Sequence, residues 1–333
     1  MGQHDYKGEK IFITGAAGFI GFFLSKRLLE AGAIVYGVDN LNDYYDVRLK
    51  EMRLAILKKY PNFTFAKVDI SDKVGLEKVF VGFAPDYVVN LAAQAGVRYS
   101  IDHPDSYIQS NLIGFYNILE LCRNHPVKHL TFASSSSVYG ANTKIPFSTE
   151  DKTDQPVSLY AATKKSDELL AYAYSTLYAI PATGLRFFTV YGPYGRPDMA
   201  YFKFSEKIMR GEKIQVYNHG DMLRDFTYID DIVEGIIRVI PSIPRKEEGK
   251  KAIFKVYNIG GGNPEKLMTM IDLLQEVLHK KANIEYLGMQ PGDVYETYAD
   301  TKDLENDFTF TPKIGIKDGL TRFGVWYKNI WSK

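Results

Sequence analysis

Up to Phe187 the chain alternates short apolar runs with longer stretches in which apolar and polar positions recur at helical spacing. Each apolar run has the length of a strand buried on both faces, and each amphipathic stretch is long enough to cross back over a sheet. This alternation predicts βαβ units and therefore a parallel sheet. The predicted strands are Lys10–Thr14, Ile34–Asp39, Phe63–Asp69, Tyr87–Ala92, His129–Ser134 and Ala182–Phe187.

Helical spacing is clearest over Phe19–Ala31 and over residues 107–124 and 159–178. Strands that alternate with such helices are typical of a doubly wound α/β (Rossmann) fold, in which ligands bind at the carboxyl ends of the strands. We therefore expect residues 1–186 to form a dinucleotide-binding Rossmann domain.

Beyond Phe187 the alternation loosens, and glycine–proline pairs indicate loops. Helical spacing is seen again in the segments 264–280 and 315–330. We expect residues 187–333 to form mainly a smaller, substrate-binding lobe, with segments near 225–260 returning to the large sheet.

Composition and charge narrow the class of protein. The formal net charge is +1, with 24% charged and 45% hydrophobic residues, which gives no reason to expect nucleic acid or an anionic membrane as a partner. No apolar run approaches the roughly 18 residues of a membrane span, and no signal-peptide pattern is present. The six histidines form no metal-ligand pattern, so no metal is expected. The single cysteine, Cys122, suits a reducing compartment, so we expect a cytoplasmic protein.

A glycine-rich loop follows the first predicted strand directly and opens the first predicted helix. Its glycines, Gly15, Gly18 and Gly21, have the spacing of a dinucleotide-binding fingerprint. The first permits a tight turn, the second lets the backbone approach a pyrophosphate, and the third packs the helix against the strand. The N–H groups at the start of that helix, which includes Phe19 and Ile20, would bind the phosphates.

An acidic residue, Asp39, ends the second predicted strand. A carboxylate there accepts the ribose hydroxyls of NAD and repels the 2′-phosphate of NADP. The following residues, Asn40-Leu41-Asn42, include no arginine to offset that repulsion, so NAD is the predicted cofactor. The alternative interpretation of Asp39 is a turn or capping residue.

Tyr160 and Lys164 lie one helical turn apart, on the same face of a predicted helix. A free tyrosine has a pKa of about 10 and is a poor base at neutral pH. An ammonium group one turn away, together with the positive charge of an oxidised nicotinamide, would favour the phenolate. Ser135, at the end of a predicted strand, offers a hydroxyl to a substrate oxygen. These residues predict proton transfer coupled to hydride transfer, and the alternative is an exposed amphipathic helix face.

Four features in this order, TGAAGFIG, Asp39, SSSSVYG and YAATK, resemble the extended short-chain dehydrogenase/reductase family. Within it the chain is similar to the nucleotide-sugar epimerases and dehydratases over essentially its whole length. The strings that match this branch are LRFFTVYGPYGRPDMA, RDFTYIDD and PGDV. The resemblance implies that Tyr160 removes the proton of a sugar 4-hydroxyl while the C4 hydride passes to NAD, which leaves a 4-keto sugar.

Ser136 and Ser137 occupy positions where related enzymes carry acids. The resemblance implies an Asp-Glu pair at these positions in the 4,6-dehydratases. It implies a glutamate at the position of Ser137 in the UDP-glucuronate decarboxylases. The serines therefore favour simple return of the hydride to the other face of the sugar, which is 4-epimerisation.

The segment from Thr189 to Arg196 is similar to the UDP-glucuronate 4-epimerases. The resemblance implies that Arg196 binds the C6 carboxylate through a bidentate fork and that Thr189 adds a hydroxyl. The alternative for Arg196 is a loop arginine packed against Pro197. The alternative functions are a UDP-glucose or UDP-N-acetylhexosamine 4-epimerase and, less favoured, a nucleotide-sugar dehydratase or decarboxylase.

The resemblance also implies the residues that bind each ligand. Those for NAD are Gly15, Gly18, Phe19, Ile20, Gly21, Asp39, Asn40, Asp69, Ile70, Leu91, Ala92, Ala93, Asn111, Tyr160 and Lys164. Those for a UDP-sugar substrate are Ser135, Ser136, Thr189, Arg196, Arg224 at the diphosphate and Asp293 at the nucleotide ribose.

The resemblance further implies a homodimer joined through the helices near 107–124 and 159–178. Tyr172, Tyr174 and Tyr178 are candidate contacts there, and the alternative is that they belong to the core. The product of a UDP-glucuronate 4-epimerase is expected to enter surface or capsular polysaccharide synthesis.

Overall fold

The structure, a computed structural model, describes residues 4–246, 248–249, 251–289 and 295–332. Its strands are β1 Lys10–Thr14, β2 Ile34–Asp39, β3 Phe63–Lys67, β4 Tyr87–Asn90, β5 His129–Ser135, β6 Ala182–Phe187, β7 Thr189–Tyr191, β8 Lys213–Val216, β9 Leu223–Tyr228, β10 Phe254–Ile259, β11 Pro264–Lys266, β12 Asn283–Tyr286 and β13 Glu296–Thr297.

The helices alternate with the strands through the first half and cluster together near the end of the chain. They are α1 Phe19–Glu30, α2 Val47–Leu57, α3 Lys73–Phe83, α4 Tyr99–Asp102, α5 Pro104–Tyr107, α6 Gly114–Asn124, α7 Leu159–Tyr178, α8 Ala200–Arg210, α9 Ile229–Val239, α10 Leu267–Leu278, α11 Lys302–Phe308 and α12 Ile316–Trp326. None of these helices is both long and apolar enough to cross a bilayer within the residues the structure describes.

Seven strands form one parallel sheet in the order β10-β6-β5-β4-β1-β2-β3. This confirms the predicted doubly wound sheet. Neighbouring residues of a strand face opposite sides of a sheet, and β1 shows the consequence. Ile11 and Ile13 belong to one core cluster, which includes α1 and α9, whereas Phe12 belongs to another, which includes α3 and α6. Helices therefore cover both faces of the sheet.

Two of the predicted strands end earlier than expected. β3 ends at Lys67 and β4 at Asn90, each two residues short of the prediction. At β4 the reason is visible, because the N–H of Ala92 donates to the side-chain Oγ1 of Thr14 at 3.0 Å instead of to a neighbouring strand. The backbone therefore leaves the sheet just where a ligand site is expected.

The predicted helix over 107–124 is divided in the structure. A π-helical turn, Ile108–Ile113, joins the short helix α5 to α6. The division falls at Asn111, whose buried side chain makes hydrogen bonds with the backbone of Gln94 and with Thr163 on α7. The predicted helix 264–280 likewise begins later, because residues 264–266 pair with β9 as an edge strand before α10 starts.

The remaining strands lie outside the large sheet. β9 pairs with β7, β11 and β13, and β8 pairs with β12. The chain leaves the large sheet after β6, builds β7 to β9, and then returns, since α9 packs on α1 and β10 pairs with β6. The second half of the chain thus contributes one strand and one helix to the first.

Candidate active site

A cavity of about 1350 Å³ opens beyond the carboxyl ends of β1, β2, β4 and β5. In the sheet, β2 and β4 lie on opposite sides of β1, so the chain order reverses there. Crevices at such switch points bind ligands in open α/β sheets. Residues from the second half of the chain, among them Thr189, Arg196 and Arg224, complete the far wall.

The glycine loop forms the floor of this cavity. Gly15 has a φ of +70°, and a Cβ there would lie 2.8 Å from the backbone nitrogen of Ala92, so only glycine fits without strain. A Cβ on Gly21 would collide with the carbonyl oxygen of Gly15. Gly18 caps α1 without a side-chain hydrogen bond, and the first turn holds no acid. The first N–H groups of α1 therefore remain available to an anion, as a pyrophosphate requires.

The acidic and amide residues at the ends of β2 and β3 line the same cavity. Asp39 is buried, and its Oδ1 accepts a hydrogen bond from the N–H of Leu41 at 2.8 Å while Lys50 Nζ lies 3.5 Å away. Asn40 Nδ2 donates to Asp69 Oδ2 at 2.7 Å. Burial would raise the pKa of Asp69, but the hydrogen bonds from Asn40 and Ser71 hold it below its usual value. Asp39 thus both shapes the turn and presents a carboxylate to the cavity.

Leu91, Ala92 and Ala93 form one wall, and Ile70 closes the adjacent side. Asn111 is placed differently from the other predicted cofactor residues, because it is not among the residues that line the cavity. Its Oδ1 accepts from the N–H of Gln94 at 2.8 Å, and its Nδ2 donates to Thr163 Oγ1 at 2.9 Å. Asn111 therefore fastens the cavity wall to α7 from behind.

Ser158 caps the start of α7 by accepting from the N–H of Ala161 at 3.1 Å, which brings Tyr160 into the first turn. Lys164 follows on the same face and is 2% exposed. Its Nζ donates to the carbonyl oxygen of Ala133 at 2.9 Å. Because Ala133 lies on β5, two residues before Ser135, this bond holds the lysine beside the strand that carries the serine. Tyr160, Lys164 and Ser135 all line the cavity.

A buried carboxyl, Asp167, lies beneath Lys164, with its Oδ2 3.2 Å from Nζ. Burial raises the pKa of Asp167 to about 7, although the charge of Lys164 opposes the shift. Its Oδ1 has no hydrogen-bond partner among the described residues. The ammonium group of Lys164 therefore lies against a carboxyl group whose pKa is raised to about 7.

Arg196 lines the same cavity, and its guanidinium forms a two-bond fork with a carboxylate of the protein. Nε donates to Asp198 Oδ1 at 3.0 Å, Nη2 donates to Oδ2, and Tyr44 Oη donates to Oδ2 at 3.1 Å. Burial would lower the pKa of Arg196, but the charge of Asp198 more than offsets it, so the guanidinium stays charged. Thr189, on β7, lines the same wall, as does Ser136. One edge of the fork is thus fixed by protein while the side chain keeps an exposed fraction of 26%.

Four basic side chains line the outer part of the cavity. They are Arg98, Lys203, Lys207 and Arg224. The Nη1 of Arg224 donates to the carbonyl oxygens of Leu223 and Tyr295. Asp293, predicted at the nucleotide ribose, lies outside the described residues. The positive charge of these side chains would suit the diphosphate of a nucleotide sugar.

Residues 11–260 match the NAD dependent epimerase/dehydratase family. The chain belongs to the NAD-dependent epimerase/dehydratase family. It is 54% identical over 334 residues to Protein CapI of Staphylococcus aureus, covering 97% of this chain and 100% of the relative. It is 46% identical over 330 residues to the probable UDP-glucuronate 4-epimerase of Rhizobium meliloti, covering 96% of each. The predicted family resemblance is confirmed.

A solved structure agrees with this assignment over nearly the whole chain. The UDP-glucuronic acid 4-epimerase of Bacillus cereus, in complex with UDP-glucuronic acid and NAD, superposes with a TM-score of 0.87 at 32% identity. The match covers 97% of this chain and 100% of that one. This chain therefore has the fold of an epimerase of the family, and the similarity extends through the second half of the chain.

The residues present fit the NAD that this family uses. The uncapped start of α1 suits a pyrophosphate, the strict need for glycine at Gly15 matches close backbone approach, and Asp39 suits an unphosphorylated ribose. Tyr44, Asp198, Lys203 and Lys207 also line the cavity, and sequence reasoning missed them. Only the lysines had a usable signal, since their spacing places both on one face of a helix.

Proposed function

We propose that this chain is a UDP-glucuronate 4-epimerase, which interconverts UDP-glucuronate and UDP-galacturonate with NAD bound. One observation carries the proposal: Tyr160, the proposed base, and the charged guanidinium of Arg196 line one cavity. The family resemblance supports it, because it implies an acid in the dehydratases where this chain has Ser136. The relatives named as UDP-glucuronate 4-epimerases support the same substrate.

The chain's own residues move the proton. Tyr160 Oη accepts it from the sugar 4-hydroxyl, Ser135 Oγ hydrogen-bonds the same oxygen, and Lys164 places a buried ammonium one helical turn after Tyr160. The chemistry that bound NAD would supply is reversible acceptance of the C4 hydride. The 4-keto sugar turns within the cavity, and after hydride returns to its opposite face Tyr160 gives the proton back. Nothing is consumed in a full cycle.

The carboxylate site protects the intermediate. A 4-keto uronate is a β-keto acid, and it decarboxylates when the electrons of the carboxylate flow towards the ketone. Charge-assisted hydrogen bonds from Arg196, with the hydroxyl of Thr189, stabilise the carboxylate anion but not the neutral CO₂ that would form. The contacts that select the substrate therefore also slow the loss of CO₂ from the intermediate.

The test is to incubate the purified protein with UDP-glucuronate and to follow the sugar by NMR. The expected result is an equilibrium mixture of UDP-glucuronate and UDP-galacturonate, with little CO₂. A parallel incubation with UDP-glucose should give much slower epimerisation. A pentose product, or turnover only of the neutral sugar, would contradict the proposal.

The finer proposal on assembly is a homodimer through α6 and α7. The outer faces of these helices and the π-helical turn carry exposed apolar side chains: Ile113, Tyr116, Leu169, Tyr172, Leu177 and Tyr178. Tyr174 has a different role, since its hydroxyl donates to Glu120 within the subunit at 2.8 Å. Light scattering should report a dimer, and Leu169→Glu should shift it to monomer. Val325→Glu, at another exposed apolar site, on α12, is the control and should not.

We place the activity in the cytoplasm, on the basis of a single, buried cysteine and of the NAD requirement. The product is proposed to supply uronate units for surface or capsular polysaccharide. Deleting the gene should then remove galacturonate from the cell's polysaccharide, measured by sugar analysis of the purified polymer.

A further inference from the structure

One buried arginine has no acidic partner among the residues that the structure describes. Arg53, on α2, is 0% exposed. Moving a guanidinium out of water costs several kcal/mol unless its donors are satisfied, and acidic partners usually supply part of the compensation. Such a residue calls for an account of what its hydrogen bonds do.

All of the hydrogen bonds of Arg53 go to carbonyl oxygens or to a phenol. Nη1 donates to the carbonyl oxygen of Ala17 at 2.8 Å and to Tyr45 Oη at 2.7 Å. Nε and Nη2 both donate to the carbonyl oxygen of Tyr194, at 3.1 and 2.6 Å, and Nη2 reaches Gly195 O at 3.2 Å. The rigid, planar fork therefore joins two segments far apart in the chain.

Both segments belong to the active site. Ala17 is part of the glycine loop that would bind the dinucleotide. Tyr194 and Gly195 directly precede Arg196, the proposed carboxylate ligand. Arg53 itself is not among the residues that line the cavity, so it acts on the site through these backbones.

The loop that Arg53 holds has an unfavourable backbone. Tyr194 has a φ of +54°, a left-handed conformation that is unfavourable for any residue other than glycine. A Cβ on Gly195 would lie 2.9 Å from the carbonyl oxygen of Gly192 and would collide with Tyr201 Oη. Two donors on the carbonyl of Tyr194 help to stabilise this shape, which sets the direction in which Arg196 leaves the backbone.

The segment between β2 and α2 makes further hydrogen bonds that fix the loop around Arg196. Tyr45 accepts from Arg53, and its neighbour Tyr44 donates to Asp198, the partner of Arg196. One short segment of the first half of the chain therefore fixes both the backbone before Arg196 and the carboxylate that orients its fork.

We propose that Arg53 is a positioning residue for the sugar carboxylate, which ties the loop before Arg196 to the dinucleotide loop. The inference rests on the proposed function and adds that selectivity for an acidic sugar depends on a residue outside the cavity. It follows that damage at Arg53 reduces binding of the carboxylate more than binding of the nucleotide.

The experiment uses Arg53→Lys, which keeps the charge but cannot bind two carbonyls as a planar fork. Calorimetry on the NAD-loaded protein measures the affinities for UDP-glucuronate and for UDP. The expected result is a tenfold or greater loss of affinity for UDP-glucuronate with less than a threefold loss for UDP. In turnover, the ratio of CO₂ released to epimer formed should rise at least threefold.

Two further variants separate positioning from general destabilisation. Arg238→Lys is the matched control, because Arg238 also donates to two backbone carbonyls, those of Phe308 and Thr309, away from the cavity. It should leave the ratio of the two affinities unchanged. Tyr45→Phe removes only one bond of Arg53 and should change that ratio two- to threefold, which keeps the test usable if Arg53→Lys fails to fold.

A double-mutant cycle completes the test. In an Arg196→Met background the carboxylate contact is already lost, so adding Arg53→Lys should change the affinity for UDP-glucuronate less than threefold further. Equal losses for UDP-glucuronate and UDP in Arg53→Lys, or full additivity in the cycle, would overturn the positioning role. A wild-type protein that does not epimerise UDP-glucuronate would instead overturn the proposed function, which separates the two failures.

Discussion

The loop of residues 14–21 and the loop of residues 189–198 face the same cavity and are built on different physical principles. The first gets its function from the backbone, since its glycines and the start of α1 present N–H groups, and no side chain is needed. The second gets its function from side chains, because Thr189, Arg196 and Asp198 provide its polar groups. Bonds from elsewhere in the chain hold its backbone.

The difference has a chemical reason. The pyrophosphate of NAD is the same whichever sugar is bound, and a backbone site is sufficient to recognise it. A carboxylate distinguishes one sugar from another, and a planar guanidinium matches its geometry. The general contact and the specific contact are thus separated, which predicts different consequences for their mutation.

The largest expected effect is at Tyr160, on α7, which lines the cavity that both loops face. Tyr160→Phe should lower kcat about 10³-fold, within the range for loss of a general base, because the 4-hydroxyl proton has no acceptor. NAD should remain bound, measured by nucleotide release on denaturation. Full activity in this variant would show that another group is the base.

The next effect tests the backbone loop. Gly15→Val should weaken NAD binding about 100-fold, since it requires a β-branched residue at positive φ and a clash with the backbone at Ala92. The loss should be the same with an acidic or a neutral sugar present, measured by fluorescence titration. A sugar-dependent loss would break the distinction between the two loops.

The third tests the side-chain loop. Arg196→Met should raise the KM for UDP-glucuronate about 10- to 100-fold, as expected for loss of charge-assisted hydrogen bonds worth about 1.5–3 kcal/mol. NAD affinity should not change, which makes this the converse of Gly15→Val. An unchanged KM would assign Arg196 to a structural pairing with Asp198 alone.

The smallest expected effect is at Asp167, on α7, the helix that also carries Tyr160 and Lys164. Because the folded pKa of Asp167 is raised to about 7, above its unfolded value, the folded state binds this proton more tightly, and its contribution to stability falls as pH rises from about 4 to 7. Asp167→Asn removes the titration. Its stability relative to wild type should be higher at pH 8 than at pH 4.5, by roughly 1–3 kcal/mol.

Urea unfolding at the two pH values measures this difference. Asp154→Asn, at an exposed site, is the control. Its difference from wild type in the free energy of unfolding should be the same at both pH values. A difference of opposite sign for Asp167→Asn would mean that its carboxyl is stabilised in the ionised form.

The contrast between the loops also explains how far sequence reasoning reached. The sheet, the family and the NAD requirement were predicted and confirmed, because strand periodicity and the glycine spacing are local patterns. The roles assigned to individual site residues stay predictions. Asn111 is an example: the family resemblance implied a cofactor contact, and in the structure its side chain bonds Gln94 and Thr163.

Arg53 and Asp198 were missed for the same reason. Arg53 and Tyr194 are 141 positions apart, and Tyr44 and Asp198 are 154 apart. Nothing in either local segment indicates the partner, because the contact exists only once both halves have packed. The divided helix around 108–113 escaped detection similarly, as its apolar spacing alone favours one continuous helix.

The late return of the chain to β10 has a consequence for protein engineering. All residues of β6 are buried, and β10 is the strand that covers its outer edge. A fragment ending near residue 186 would expose a row of unpaired backbone groups, the kind of edge at which chains aggregate. The sugar-recognising half therefore cannot be exchanged between relatives as an independent cassette, and a change of substrate must be grafted loop by loop into an unbroken chain.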